Sequence, residues 1–163
     1  MDINVKNLSK KFNKYTAVNN INFTLVKNKT LGLLGPNGCG KTTSIGMMLG
    51  LITPSSGEVL IDGQNVDNVN RDILLSKMNF ASPYIELPKK LTVKQNLDVY
   101  GRLYGVKNLK DRISEIAEDL DLNNFLEEKT GELSSGQKNR VSLAKSLINK
   151  PELLFLDEPT ASL

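Results

Sequence analysis

Residues 35–43 read Gly35-Pro36-Asn37-Gly38-Cys39-Gly40-Lys41-Thr42-Thr43 and carry the most specific chemistry in the chain. Their spacing fits G-x-x-x-x-G-K-[ST], a phosphate-binding P-loop. The three glycines let the backbone curl until successive N–H groups face one anion. Lys41 supplies a cation for the outer phosphates, and the Thr42 hydroxyl is a hard oxygen donor suited to Mg2+. Cys39 fills a variable position as a small residue. As the only cysteine it excludes an internal disulfide and a cysteine-based metal site.

A P-loop works only between a strand and a helix. Leu31-Gly-Leu-Leu34 predicts a short buried parallel strand, and Ser44 to Leu51 a helix whose N-terminus faces the phosphates. Upstream, Ile3 to Leu8 and Ile21 to Leu25 alternate apolar and polar, as half-buried strands of an antiparallel layer do. Glu58 to Ile61 followed by Asp62-Gly63 predicts a strand entering a hairpin after the turn cluster Thr53 to Gly57. Arg71 to Lys77 predicts a short helix, and Met78 to Ala81 a short buried strand.

From Thr92 to Lys150 the periodicity is helical. Val93, Leu97, Tyr100 and Tyr104 share one face; Leu109, Ile113, Ile116 and Leu120 share another. Thr92-x-x-Gln95 and Ser134-x-x-Gln137 are capping boxes, each opening a helix. Gly105 ends the first of these helices, and Pro151 stops the one that Val141, Ala144, Leu147 and Ile148 continue. Leu153 to Leu156 reads as a strand buried on both faces, ending in the carboxylates Asp157 and Glu158. In P-loop enzymes the first acid there holds Mg2+ and the second orients and deprotonates water.

At 163 residues the chain is about one domain long, with 39% hydrophobic and 24% charged residues, an ordinary globular balance. Its apolar runs are too short for a membrane span, and no secretory leader opens it, so a cytoplasmic location is expected. A net charge of +3 without a basic stripe gives no support for nucleic-acid binding.

Leu133-Ser-Ser-Gly-Gln137, upstream of Asp157-Glu-Pro-Thr160, resembles the signature of ATP-binding-cassette (ABC) ATPases. The resemblance covers the whole chain, from Leu8-Ser-Lys-Lys-Phe12 to Ala161-Ser-Leu163. It implies an α/β fold: a P-loop NTPase with a RecA-like parallel sheet core, an N-terminal antiparallel β layer and a helical subdomain. The β layer and P-loop core would span 1–91, the helical subdomain with the signature 92–150, and the Walker B strand with the start of the D-loop 151–163. The resemblance further implies that Phe12, or Tyr15, stacks on adenine, the bland alternative being an aromatic that fills the β layer. Gly35 to Thr43 would hold the ATP phosphates, Thr42 and Asp157 the Mg2+, and Glu158 would be the general base beside Lys41. Ser134, Ser135, Gly136 and Gln137 would serve the γ-phosphate on a second cassette in a head-to-tail dimer. Transmembrane permease subunits would be the other partners, keeping the protein at the inner face of the membrane. The implied function is ATP hydrolysis that drives transport. A nucleotide-binding module without turnover and a non-transport ABC ATPase are the alternatives.

The chain departs from the family pattern twice. The expected glutamine after the strand ending near Ala81 falls at Ser82 or Pro83, and Ser82 or Glu86 are the candidate substitutes. The variant loop Ser82 to Pro88 resembles exporter-type cassettes of the ABC-2 class. The chain also stops within the D-loop and holds no histidine, so the switch histidine and the strand before it are missing. The core is therefore expected to be incomplete, and the chain a fragment of a longer protein.

Overall fold

The computed structural model describes residues 1–66, 71–82 and 86–158, which form two compact units, Met1–Leu75 and Ser76–Leu163. In the first, β1 (Ile3–Phe12) and β2 (Tyr15–Leu25) make an antiparallel hairpin, α1 (Lys41–Met48) follows the P-loop, and β3 (Ser56–Ile61) with β4 (Gln64–Asn65) completes the sheet. The strand order is β2-β1-β3-β4. Ile3 and Val5 point inward by simple alternation, but the next buried residue is Leu8, three positions on. The register with β2 shifts between Val5 and Leu8, so a bulge moves the inward face by one residue. Ile3, Val5, Leu8, Val59 and Ile61 are almost wholly buried, each worth about 1.5–3 kcal/mol of apolar transfer. The helix α2 (Arg71–Ser76) follows the hairpin, and its Arg71 guanidinium bonds the Gly50 carbonyl.

In the second unit β5 (Met78–Ala81) and β6 (Leu153–Leu156) pair in parallel, Met78 opposite Leu153 and Ala81 opposite Leu156. Between them run α3 (Val93–Leu103), α4 (Leu109–Asp119) and α5 (Ser135–Leu147). These helices close one core of Val93, Leu97, Ile113, Ile116, Leu122, Phe125, Val141, Ala144 and Ile148. Both capping boxes form as the sequence predicts. Tyr104 is the last residue of the α3 turn, and Gly105 follows it at φ 65°.

Two strand expectations are corrected. Residues 31–34 form no strand, pair with none among the described residues, and leave Leu34 95% exposed. A parallel strand owes its stability to hydrogen-bonded neighbours on both edges, and an apolar run without them stays irregular. Likewise β6 is buried on one face only: Leu153 and Phe155 are inside, while Leu156 is 41% exposed. The helix after the P-loop starts at Lys41, three residues earlier than expected, because Gly40 turns the chain directly into it.

Candidate functional site

The P-loop is an irregular segment that becomes a helix at Gly40. Gly40 sits at φ 94°, and a Cβ there would stand 2.2 Å from the Ala17 carbonyl oxygen, so only glycine fits. Gly38 is also left-handed, at φ 82°, with open space where its side chain would be. No side chain caps the N-terminus of α1 and no carboxylate lies in its first turn. That end therefore keeps its positive partial charge for an anion. The Lys41 ammonium folds back onto the Gly35 and Pro36 carbonyls, at 2.8 and 3.0 Å, with the Cys39 sulfur at 4.0 Å. The Cys39 N–H donates to Pro36 O at 3.3 Å, closing a turn over Asn37. Thr42 is exposed on the first turn of α1, with Thr43 partly so beside it.

Phe12 and Tyr15 face each other across the β1–β2 turn. Phe12 is 46% exposed with the Lys10 ammonium 5.0 Å from its ring centre, so it does not fill the β layer. Tyr15 is more exposed still, and its hydroxyl donates to the Gly38 carbonyl at 2.9 Å. That contact was not legible in the sequence. Its only trace was a second aromatic just across the hairpin turn from Phe12.

In the second unit the Leu133-to-Gln137 segment caps α5. The Gln137 N–H donates to Ser134 Oγ at 3.3 Å, and Ser134 N–H donates to Gln137 Oε1 at 2.8 Å. Leu133 is buried, whereas Ser134 and Ser135 are exposed and Gly136 has open space at its Cα. The first turn of α5 carries no acid. At its other end Arg112 donates to the Leu147 and Ile148 carbonyls. Asp157, just past β6, is 4% exposed and its N–H donates to Ala81 O at 3.0 Å. Glu158 follows in the left-handed region at φ 48°, a conformation a non-glycine residue holds only when its surroundings impose it.

Of the glutamine substitutes, Ser82 is buried and Glu86 is an exposed carboxylate paired with Lys89 at 3.0 Å. Pro83 and residues Pro159 to Leu163, where the D-loop is expected, lie outside the described residues. Sequence reading also missed the Asn96 node. Its amide donates to the Pro88, Leu91 and Thr92 carbonyls and to Thr130 Oγ1, fully buried, tying the entry of α3 to the turn before α5.

A family model described as ABC transporter matches residues 18–161. The zinc import ATP-binding protein ZnuC of Rickettsia bellii is 42% identical over 161 residues, covering 99% of this chain and 64% of the relative. The probable multidrug ABC transporter ATP-binding protein YbhF of Escherichia coli is 37% identical over 161 residues, covering 98% of this chain and 28% of the relative. The chain thus spans 28% to 64% of the length of these curated relatives. A solved dimeric ATP-binding cassette, in a post-hydrolysis state bound to ADP and Pi, superposes with a TM-score of 0.86 at 27% identity, covering 99% of this chain and 75% of that one. With its motifs in order, its fold matched and nearly its whole length aligned, the chain belongs to the ABC transporter family and has the fold of that family's ATP-binding cassettes.

Proposed function

We propose that this chain is the ATP-binding part of an ABC transporter. It binds ATP with Mg2+ at the P-loop and, paired head to tail with a second cassette, hydrolyses it to drive permease subunits in the membrane. The observation that carries this reading is the P-loop itself: an uncapped, acid-free helix N-terminus with Lys41 beside it. On nucleotide binding the Lys41 ammonium would exchange the neutral Gly35 and Pro36 carbonyl acceptors for anionic phosphate oxygens, so that both partners of the bond carry charge. Gly38 and Gly40 hold positive φ angles of 82° and 94°, the kind of backbone from which successive amides can turn toward one anion.

Thr42 and Asp157 offer hydroxyl and carboxylate oxygens, the donor set that Mg2+ prefers alongside phosphate. Bound Mg2+ would neutralise charge developing on the phosphate oxygens. Glu158 would take the proton of the attacking water, and Phe12 would stack on adenine. Ser134 and the Gly136 backbone would meet the γ-phosphate held by the partner cassette, where the α5 N-terminus supplies a positive end. No helix among the described residues is long and apolar enough to cross a membrane. Attachment at the cytoplasmic face would come through the permease.

The irregular, exposed 31–34 segment favours a second reading, a module that binds nucleotide without turnover. Calorimetric titration of Mg·ATP into the chain, with Lys41→Ala alongside, tests the first step. Saturable binding, weakened roughly ten- to hundred-fold in the variant, is expected; absence of binding by the parent chain refutes the reading. Phosphate release by the dimeric protein, abolished by Glu158→Gln, separates the transporter ATPase from the silent module.

A further inference from the structure

The strand β2 touches the P-loop at two points, on either side of Cys39. Tyr15 Oη donates to Gly38 O at 2.9 Å, and Ala17 O and Val18 Cγ2 lie so near Gly40 that a Cβ there would stand 2.2 and 3.0 Å from them. Gly40 is thus held by close packing. Gly38 is not, because nothing lies within 4 Å of where its Cβ would be. A glycine in open space can rotate the peptide that follows it at little steric cost. The chain before the loop adds no ladder of hydrogen bonds among the described residues, since residues 31–34 are in no strand.

We propose that Tyr15 is a positioning residue that fixes the Gly38–Cys39 peptide plane of the phosphate loop through its hydroxyl. The peptide is planar, so holding the Gly38 carbonyl on Tyr15 also sets where the Cys39 N–H points. That N–H currently meets Pro36 O at a long 3.3 Å, a weak partner it can exchange for a phosphate oxygen. Rotation of the same plane would turn a carbonyl oxygen toward the anion in place of an N–H. Tyr15 thereby acts on the phosphates without touching them, and its ring need not meet the base. This inference rests on the nucleotide reading above, and it assigns Tyr15 a task distinct from adenine stacking.

Two consequences separate the tasks. A loop clamp acts through the hydroxyl alone, so Tyr15→Phe and Tyr15→Leu should be equally impaired. It also ignores the base, so Mg·ATP and Mg·GTP should weaken by the same factor. A neutral hydrogen bond of ordinary strength corresponds to a loss of roughly three- to ten-fold in affinity. Tyr15 is 58% exposed, so neither substitution removes packing that the fold needs.

The experiment pairs calorimetry of Mg·ATP and Mg·GTP with amide hydrogen exchange of residues 37–40 in the nucleotide-free chain, for the parent, Tyr15→Phe and Tyr15→Leu. Faster exchange in both variants, with equal losses for both nucleotides, is the expected result. Unchanged exchange and affinity in Tyr15→Phe overturn the clamp. A loss confined to Tyr15→Leu, or to Mg·ATP, also overturns it and makes Tyr15 a base platform. A parent chain that binds neither nucleotide refutes the nucleotide reading instead. The exchange arm then decides alone whether Tyr15 holds the loop.

Discussion

Ser134 is the residue where a structural duty and the proposed chemistry can be pulled apart. Its Oγ accepts the Gln137 N–H at 3.3 Å, and the reciprocal bond to Gln137 Oε1 is 2.8 Å. Replacing an N-cap serine by alanine costs about 0.5–2 kcal/mol. The long bond and the exposed position put Ser134→Ala in the lower half, about 0.5–1 kcal/mol. Unfolding entropy near 2.1 cal/mol/K per residue gives roughly 0.3 kcal/mol/K for a chain of this length, so Tm should fall by about 1.5–3 °C. Ser134→Asp keeps an acceptor at the cap and adds a charge favoured at a helix N-terminus, so its Tm should equal or exceed that of the parent. For the proposed γ-phosphate contact the order reverses. The aspartate repels phosphate, so Ser134→Asp should abolish ATP-dependent dimers of the Glu158→Gln background, and Ser134→Ala only weaken them. Thermal unfolding and light scattering read the two effects. An Asp variant that is as stable as the parent and still dimerises on ATP would falsify the signature assignment. An Ala variant with unchanged Tm would remove the cap from the stability argument.

Gly40→Ala places a Cβ against the Ala17 carbonyl oxygen at φ 94°. It should cost at least about 2 kcal/mol in urea unfolding and remove Mg·ATP binding. Lys41→Ala should leave the urea midpoint nearly unchanged yet weaken Mg·ATP roughly ten- to hundred-fold in calorimetry, the range of a charge-assisted bond. Asn96→Ala strips the buried donor from the Pro88, Leu91 and Thr92 carbonyls and should cost about 1–3 kcal/mol in the same unfolding assay. Lys145, on α5 with its ammonium 5.2 Å from the Tyr100 ring centre, has its pKa lowered below 10.5 by burial. The unfolded chain then holds more protons between that lowered pKa and 10.5, so stability should rise with pH across this window. Lys145→Met should flatten that slope in urea titrations from neutral to alkaline pH.

What the sequence reveals follows how local each interaction is. Both capping boxes, the β3–β4 hairpin and the helix breaks at Gly105 and Pro151 depend on residues within a few positions, and all were readable. The inward face of β1 was readable up to Val5, where a bulge that composition does not encode shifts it to Leu8. Residues 31–34 have the composition of a buried strand, but strand formation needs partners, and none of the described strands pairs with them. For the candidate site, Gly35 to Thr43, Ser134 to Gln137, Asp157 and Glu158 were named by motif. The Tyr15–Gly38 bond joins residues 23 apart, and no pattern of types announces it.

The two helices that would face phosphate are prepared in different ways, and the difference fits their partners. The start of α1 has no side-chain hydrogen-bond cap and no acid in its first turn, so that end keeps a positive partial charge. The start of α5 is capped, which fixes its direction before any partner arrives. A serine hydroxyl that accepts one N–H still has its own proton to donate. Ser134 can therefore hold Gln137 and offer a hydrogen bond outward from an exposed position. The far end of α5 is settled as well, with Arg112 on the Leu147 and Ile148 carbonyls and Val141, Ala144 and Ile148 fully buried. A helix anchored along its length and at its C-terminus presents a rigid, positive N-terminus. An anion that must be recognised across a subunit boundary needs such a target, because the partner, and not the loop around the ligand, has to supply the geometry.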